Sequence, residues 1–520
     1  MWHMCVLQHL EGGCGLQKLW NLDPFGVNKM RKSDIHKKQI SEIPVLMKQV
    51  SAACVVVYLL LAVLFPVLAG QALYLKDSKN EIKMPVAQSG TVELYAGNCI
   101  DQHFRTWIQR LESISVQWGT YYRANAGTAI IELYNMETEQ ILLSGSFDVS
   151  AIPEGGITTL TAEEPLEGLA GVPLMLRIYS PDSQPGSAAS PLMNVDTVSE
   201  NTLLFFNGIE EPVQGTVCFS VKGTDYIWFG LHYRLLAALG FALLLAVLMI
   251  SRKRYVDGKA SYLAGAILSV QRYKFLIRQL VSRDFKTKYK RSVLGMFWSF
   301  LNPLLTMTVQ YFIFSTIFKT DIPNYAAYLL IGIVCFNFFS EASNMSLFSI
   351  LGNAGLITKV YMPKYIYPVT RVLSSVVNLG ISLIPLILVC LLTGVHFQKS
   401  ALLALYFLVC LIIFTLGVCL VLSAAMVFFR DTQFLWSVFS MVWMYATAIF
   451  YPESILPEKY RFVLDINPLY HFIKNIRVCI LNGVSPEPAV YGQCLLISLL
   501  MLLVGAWVFK KNQDKFVLYL

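Results

Sequence analysis

Charged residues are scarce in this chain of 520 residues: Asp, Glu, Lys and Arg together make up only 14% of it. Soluble proteins carry about 25% charged residues, so a water-soluble enzyme of this length is excluded. Apolar residues make up 55%, and the mean hydropathy is +0.55. The 21 prolines and 32 glycines are ordinary for the length and exclude a disordered chain. The composition therefore predicts an integral membrane protein.

Motifs for catalysis and for nucleotide or metal binding are also missing. The phosphate-binding pattern Gly-x4-Gly-Lys-Ser/Thr does not occur, and the only Gly-Lys pair, Gly258-Lys259, is followed by Ala260. No His/Cys cluster has metal-ligand spacing, and no pair of carboxylates forms a catalytic motif in a cytosolic domain. Several of the 11 cysteines lie inside apolar runs, where a thiol acts as a small apolar group: Cys54, Cys335, Cys390, Cys410 and Cys419. We predict no catalytic residue, no metal site and no cofactor in this chain.

Long apolar runs, in contrast, recur along the chain. A bilayer crossing needs about 20 apolar residues. The runs are Ala52–Ala69, Ile227–Ile250, Leu294–Phe318, Tyr325–Asn344, Val369–Leu392, Leu402–Phe428, Phe434–Tyr451 and Cys494–Phe509. They predict two crossings, a long polar block, and then six further crossings.

The distribution of charge predicts the orientation. Residues 1–51 hold 7 Lys+Arg against 4 Asp+Glu, and residues 252–291 hold 12 against 2. Residues 71–226 hold 8 against 19, a net charge of −11. Basic flanks stay in the cytoplasm, so both termini are predicted inside and the acidic block outside. The predicted segments are a partly disordered cytoplasmic segment 1–51, helix 52–69, an external domain 71–226, helix 227–250, an interface helix 260–291 and a six-crossing half 292–520.

The acidic block has the pattern of a small all-β domain. Apolar and polar residues alternate in 114–118 and 129–133, and 174–179 is another short strand. Turn residues separate these strands at 125–127, 153–156 and 181–186. Many short strands with Gly, Pro and Asn turns predict a β-sandwich or jelly roll.

The order of features in this domain resembles the galactose-binding-like jelly rolls of carbohydrate-active proteins. Such a role needs exposed aromatic rings, and the candidate glycan contacts are Trp107, Trp118, Tyr121 and Tyr122. Trp118 shares a strand face with Ile114 and Val116, which favours a place in the core instead. Cys99 and Cys218 are the only cysteines of the block. An oxidising compartment allows a disulfide between them, and two free thiols are the alternative.

The C-terminal half carries a more specific signature. Residues 272–285 have basic residues around an apolar face, which predicts a helix lying on the membrane surface. A basic run then leads into Ser292-Val293-Leu294-Gly295, and Asn302-Pro303-Leu304 follows inside the next apolar run. Together with Phe428-Phe429-Arg430-Asp431 and Ile466-Asn467-Pro468-Leu469, this pattern resembles the membrane subunit of type-2 ABC exporters over residues 260–520. Within that family it is most similar to the polysaccharide, O-antigen and teichoic-acid exporters.

The resemblance implies two groups of functional residues. The residues implied to contact an ATPase subunit are Arg283, Asp284, Lys288, Arg291, Leu356, Lys359, Tyr361, Pro363 and Lys364. The residues implied for a channel or an outer gate are Phe297, Trp298, Asn302, Pro303, Tyr311, Phe336, Trp443, Tyr445, Phe450, Tyr451, Asn467 and Pro468. Prolines in 452–475 interrupt the helices there and predict re-entrant gate helices.

The resemblance also implies the assembly. Because this chain has no phosphate loop, ATP and Mg would be bound by a separate ABC ATPase, present in two copies, and a second copy of this chain would complete the pore. The implied substrate is a lipid-linked polysaccharide, the implied location is a bacterial cytoplasmic membrane, and no nucleic acid is involved. The alternatives are an exporter of a smaller lipid or drug, a membrane glycosyltransferase or acyltransferase, and a membrane-anchored glycan-binding sensor. The transferase would need acidic or histidine catalysts, and the sensor would need an output domain.

Overall fold

The computed structural model describes residues 32–196, 202–207, 211–256, 262–290, 292–317, 322–359 and 362–519. The predicted disordered stretch 1–29 and two predicted contact residues, Arg291 and Tyr361, lie outside these ranges. Contacts group the described residues into two compact units, one within 1–65 and 237–295 and the other within 66–236 and 296–520.

Two long apolar helices flank the acidic block in the sequence. Helix α1 is Lys32–Ala69, the short helix α2 is Trp228–Leu231, and helix α3 is Tyr233–Val256. The Tyr58 hydroxyl donates to the carbonyl of Ala237 at 2.8 Å. A Cβ at Gly240 would lie 2.5 Å from that hydroxyl, so a larger residue there would displace the Tyr58 side chain. Helix α4, Tyr262–Tyr289, then occupies the predicted interface segment.

The residues that lie between these helices in the sequence form two antiparallel sheets, which confirm the predicted extra β domain. The strands are β1 Leu75–Asp77, β2 Ser89–Gly90, β3 Cys99–Arg105, β4 Arg110–Gly119, β5 Thr128–Asn135, β6 Gln140–Asp148, β7 Ile157–Glu167, β8 Pro173–Tyr179, β9 Ser190–Asn194, β10 Thr202–Phe206, β11 Thr216–Val217 and β12 Phe219–Tyr226. One sheet has the order β1-β12-β4-β9-β11, with β2 on β9 and β7 on β4. The other has the order β10-β3-β8-β5-β6.

The two sheets share one hydrophobic core. Alternate residues of β4, β5 and β8 point into it, and Ile114, Ile131 and Leu176 are fully buried there. The period of two that predicts these strands therefore also identifies their buried faces. Trp118 belongs to the same core, which decides between its two sequence-based interpretations.

The C-terminal half is a helical bundle. Its helices are α5 Phe297–Ile317, α6 Tyr325–Leu347, α7 Ala354–Ile357, α8 Ile366–Leu392, α9 Ala404–Phe428, α10 Thr432–Tyr445, α11 Phe462–Ile466, α12 Pro468–Arg477, α13 Pro488–Asn512 and α14 Phe516–Tyr519. Helix α9 is central and packs against α6, α8, α12 and α13. At its crossing with α13, a Cβ on Gly505 would lie 2.2 Å from the carbonyl oxygen of Gly417. Small residues at such a crossing let two membrane helices approach backbone to backbone.

The described part of the chain has six helices long and apolar enough to span a bilayer: Lys48–Leu73, Tyr233–Arg254, Tyr325–Leu347, Ile366–Leu392, Lys399–Phe428 and Pro488–Tyr519. Helix α5 has 21 residues but carries polar residues, Asn302 and Gln310 among them, that lower its hydropathy. The predicted crossing Phe434–Tyr451 is wrong as one continuous helix. Helix α10 has only 14 residues, about 21 Å at 1.5 Å per residue, whereas the hydrocarbon core is about 30 Å thick.

Candidate functional site

The chain leaves helix α10 at Tyr445 and forms a buried, non-helical loop of residues 446–451. Thr447, Ala448, Ile449 and Phe450 are almost completely inaccessible. Ala448 adopts a left-handed backbone conformation with φ of 49°, which is unfavourable for a residue with a side chain. A buried loop of this kind needs partners for its backbone carbonyls, because an unpaired carbonyl away from water costs free energy.

Two tyrosines of helix α6 supply part of these partners. The Tyr325 hydroxyl donates to the carbonyl of Phe450 at 2.7 Å. One helical turn further along, the Tyr328 hydroxyl donates to the carbonyl of Tyr451 at 3.0 Å. Their spacing of three residues places both hydroxyls on one face of α6, so this face holds the end of the loop.

Asn467 joins the start of the loop to the next helix. Its side-chain NH2 group donates to the carbonyl of Ala446 and to the hydroxyl of Thr447, each at 3.0 Å. Its side-chain oxygen accepts from the Trp443 indole at 2.8 Å and from the backbone N–H of Leu469 at 3.1 Å. The last bond makes Asn467 the N-cap of α12, a position that favours Asn. The Asn-Pro pair thus starts α12 and fixes the loop at once.

Arg477 at the end of α12 holds the middle of the loop. Its guanidinium donates to the carbonyls of Ala448 at 3.1 Å, Ile449 at 2.9 Å and Tyr328 at 3.2 Å. It also lies 3.4 Å from the centre of the Tyr328 ring, a cation–π contact. The residue is 6% exposed, and no carboxylate within the described ranges forms an ion pair with it. Carbonyl dipoles and a ring face therefore stabilise this buried cation.

Helix α6 approaches the guanidinium closely because it carries a glycine there. A Cβ on Gly332 would lie 2.8 Å from Nη2 of Arg477 and 2.9 Å from Cγ2 of Ile449. Any other residue would push the guanidinium or the loop away. Gly332 is therefore part of the same arrangement.

A cavity of about 340 Å³ opens beside this cluster. Tyr328, Arg477, Tyr470, Glu453 and Lys474 contribute to its wall. The Lys474 ammonium pairs with the Glu453 carboxylate at 2.9 Å. The cavity is thus lined by aromatic rings and charged groups, which suits a polar ligand with apolar faces.

The structure brings many of the predicted gate residues to this loop. Trp443 and Asn467 bond to each other, Pro468 is the first residue of α12, and the Tyr451 hydroxyl donates to the carbonyl of Tyr445 at 2.7 Å. Phe450 stacks on Phe314 of helix α5, and Tyr311 of the same helix lies 5.8 Å from Tyr325 between ring centres.

Other predicted channel residues lie elsewhere. Phe297 and Trp298 start helix α5 and are exposed, as is Asn302, while Pro303 is buried inside that helix. Phe336 is buried against Phe339. In this structure Phe336 is therefore a core residue of the bundle, and its place along a channel stays a prediction.

The predicted ATPase contacts fall on two segments. On α4, Arg283 is exposed and pairs with the buried Asp284 at 3.2 Å, and Lys288 lies 5.6 Å from the ring centre of Tyr289. Within 352–366, the side chains of Leu356 and Lys359 are exposed and Pro363 is half-buried.

Lys364 is held within this chain. Its ammonium donates to the carbonyl of Gln513 at 2.6 Å and lies 5.9 Å from the centre of the Phe516 ring. Ile357 and Tyr367 pack with Phe516 in one buried cluster. Lys364 therefore fixes this segment to the C-terminal end of the bundle, and its contact with an ATPase subunit stays a prediction.

The β domain decides two alternatives that the sequence left open. Trp118 is 0% exposed and its indole donates to the Thr158 hydroxyl at 2.7 Å, so it is not a glycan contact. Cys99 and Cys218 are both free. Cys99 begins β3 of the five-stranded sheet, whereas Cys218 lies between β11 and β12 of the other, and burial raises the pKa of its thiol to about 11.

Four residues of the loop cluster were not identified from the sequence: Tyr325, Tyr328, Gly332 and Arg477. Arg477 could have been identified from the sequence, because an arginine between apolar residues in a membrane protein usually faces the interior. Tyr325 and Tyr328 resemble ordinary interfacial tyrosines, and Gly332 is one helical glycine among several. Only the folded chain shows what they bind.

Comparison with known proteins agrees with this architecture. Residues 276–481 match the family described as ABC-2 type transporter. The chain is 31% identical over 246 residues to the O-antigen export system permease protein RfbA of Klebsiella pneumoniae, a match that covers 93% of that protein and 46% of this chain. It is 28% identical to the RfbA of Myxococcus xanthus, over 97% of that protein and 48% of this chain. It is 23% identical to the polysialic acid transport protein KpsM of Escherichia coli, over 95% of that protein and 46% of this chain.

The fold and the matches define the class: this is a polytopic transporter membrane subunit. The chain belongs to the ABC-2 type transporter family. The family match lies entirely in the C-terminal half, after the β domain.

Proposed function

We propose that this chain is the membrane subunit of an ATP-driven exporter that moves a lipid-linked polysaccharide across a bacterial cytoplasmic membrane. The observation that carries the proposal is the match over 93% of an O-antigen export permease. The second relative named above is also an O-antigen export permease, and the third is a polysialic acid transport protein. The buried loop 446–451 and the broken helices after it are consistent with a gate, because non-helical backbone at membrane depth persists only within protein or along a wet path.

The proposed assembly has two copies of this chain and two copies of an ABC ATPase. The chain transports and is not itself an enzyme, and ATP and Mg bind to the partner. The exposed aromatic residues at the start of α5, Phe297 and Trp298, are available to a second copy or to sugar rings. Both termini lie in the cytoplasm and the β domain lies outside, as the charge distribution favours.

The proposed contact with the ATPase uses two exposed basic residues. Lys359 follows α7, whose position at the end of the bundle is fixed by buried Ile357, and Arg283 lies on α4. Because α7 packs against the bundle, a force applied beside it reaches α8 and α9. A mobile segment would not transmit such a force.

The test uses a strain from which this chain has been deleted and measures lipid-linked polysaccharide at the cell surface. The wild-type chain should restore it. The double variant Lys359→Glu/Arg283→Glu should accumulate in the membrane but lower surface polysaccharide at least tenfold. The control is Lys222→Glu, a reversal of an exposed charge on β12, which should behave like the wild type. Unchanged surface polysaccharide in the deletion strain would refute the proposed function.

A further inference from the structure

An exposed turn of the β domain is built in an unfavourable backbone conformation. It follows β4 and consists of Thr120, Tyr121, Tyr122 and Arg123, closed by the Arg123 N–H donating to the Thr120 carbonyl at 3.3 Å. Both central residues are left-handed, with φ of 55° at Tyr121 and at Tyr122. Positive φ at both central positions is the mark of a type I′ turn, which prefers Asn and Gly. Two bulky aromatic residues in succession are uncommon there.

Hydrogen bonds with polar side chains hold this turn in its conformation. The Glu154 carboxylate accepts from the Thr120 backbone N–H and hydroxyl, each at 2.7 Å, and from the Tyr122 N–H at 3.3 Å. These bonds, that of the Thr120 hydroxyl first, hold the pKa of Glu154 below its usual range. The buried side chain of Asn125 donates to the Thr120 carbonyl at 2.9 Å and accepts from Arg123 at 3.0 Å. The surroundings therefore impose the turn on its tyrosines.

The two tyrosine rings make few packing contacts that would offset the backbone strain. Tyr122 is 90% exposed, and Tyr121 is 46% exposed with the Arg123 guanidinium 4.8 Å from its ring centre. Arg123 is itself fixed, since it pairs with Glu93 and donates to the carbonyl of Ala188. Strain that the surroundings impose and that burial does not explain is typical of binding sites.

The chemistry of the turn points to a sugar. Tyrosine offers a large, rigid and amphipathic surface at a low cost in conformational entropy. The CH-rich face of a pyranose can stack on such a ring while its hydroxyls bond to the phenol and to polar neighbours. Segment 71–226 has 8 basic and 19 acidic residues, so an anionic polymer or nucleic acid is repelled within a Debye length of about 8 Å.

We propose that the Tyr121–Tyr122 turn is a carbohydrate-binding site that stacks on sugar rings of the exported polysaccharide and prefers an uncharged one. The proposal rests on the proposed function for the source of the ligand. It adds a recognition site in the β domain, outside the part of the chain that the ABC-2 family match covers.

The test uses the full-length protein in detergent micelles and the envelope polysaccharide of the strain that encodes this chain, freed from its lipid. Binding is measured by calorimetry. Tyr122→Gly and Tyr122→Asn both suit a left-handed backbone but remove the ring, and each should weaken binding at least tenfold. Tyr122→Phe keeps the ring and should stay within about threefold of the wild type. The melting temperatures of the glycine and asparagine variants should be unchanged or higher, because the backbone strain is relieved.

Glu139 provides a matched control. It is exposed, lies in the turn between β5 and β6, and also has φ of 55°. Glu139→Gly should relieve strain in the same way and leave binding unchanged. The proposal is overturned if the wild-type protein does not bind the polysaccharide at millimolar sugar, or if Tyr122→Gly binds as tightly as the wild type. Either result leaves the proposed function standing, because that depends on surface polysaccharide in the deletion strain.

Discussion

The Tyr121–Tyr122 turn and loop 446–451 are both irregular and both contain left-handed residues, yet side chains hold them in opposite ways. In the turn, one carboxylate, Glu154, collects backbone N–H donors, and the tyrosine rings stay in solvent. In the loop, side-chain donors satisfy backbone carbonyls, and the segment is buried. The turn therefore exposes its side chains to solvent, whereas the loop buries its backbone.

This difference follows from what each segment would lose if its partners were removed. Water can replace a lost hydrogen bond at an exposed turn, so the free-energy cost is small. Water replaces a lost donor much less readily inside a helical bundle, where an unpaired carbonyl costs about 1–3 kcal/mol. Substitutions at the loop should therefore be far more damaging than those at the turn, and the predictions below test that order.

The largest effect is expected for Arg477→Met, which keeps much of the side-chain volume but removes three donors to buried carbonyls. A hydrogen bond to a charged group contributes about 1.5–3 kcal/mol, so the loss should exceed that of any other single donor in this cluster. We expect the full-length protein to fail to accumulate, or to melt at a much lower temperature in detergent. Lys474→Met on the same helix is the control, since its exposed ion pair with Glu453 contributes about 0–1 kcal/mol. Equal stability of the two variants would contradict the role of Arg477.

A somewhat smaller effect is expected for Gly332→Ala. The added methyl group would lie 2.8 Å from the Arg477 guanidinium and 2.9 Å from Ile449, and overpacking of this kind costs about 1–3 kcal/mol. Gly380→Ala in helix α8 is the matched control, because nothing lies within 4 Å of a Cβ built there. Thermal unfolding in detergent should separate the two variants. If Gly332→Ala were as stable as Gly380→Ala, the close approach of α6 to the loop would not matter.

Removing a single hydroxyl should have a moderate effect. Tyr325→Phe keeps the ring and leaves the buried carbonyl of Phe450 without its donor, so we expect a loss of about 1–2 kcal/mol in the free energy of unfolding. Tyr445→Phe, at an exposed tyrosine beside the same loop, should lose almost nothing. The comparison is made by thermal unfolding of both variants. A larger loss for Tyr445→Phe would mean that the carbonyl contacts do not stabilise the loop.

The alternation and length of apolar segments predicted most of the fold. The three strand segments near Ile114, Ile131 and Leu176 were found because a period of two survives in the sequence. The crossing 434–451 was misjudged because apolar composition cannot reveal that the helix stops at Tyr445. The end of that helix depends on donors from α6 and α12 that are distant in the sequence.

The candidate site was predictable where a residue acts through its local sequence. Asn467-Pro468 is an N-cap followed by proline and signals a helix start directly. Gly332 and Arg477 are 145 residues apart and have meaning only when α6 and α12 pack together. Trp118 and Tyr122 could not be distinguished from the local sequence. Both are aromatic residues near the end of one strand, but packing buries the first and leaves the second exposed.

The smallest predicted effect is a pH response confined to the turn. Hydrogen bonds from Thr120 and Tyr122 lower the pKa of Glu154, so its contribution to local stability is complete above the usual pKa of about 4.5 for an unfolded glutamate. That contribution is lost as the pH falls through the lowered value in the folded protein. Hydrogen exchange of residues 119–125 in the full-length protein should therefore speed up on acidification beyond its intrinsic pH dependence. Glu154→Gln should abolish this pH dependence, whereas Asp148→Asn, which alters a separate cap at Ser150, should leave it intact. The same response in Glu154→Gln would show that the carboxylate does not hold the turn.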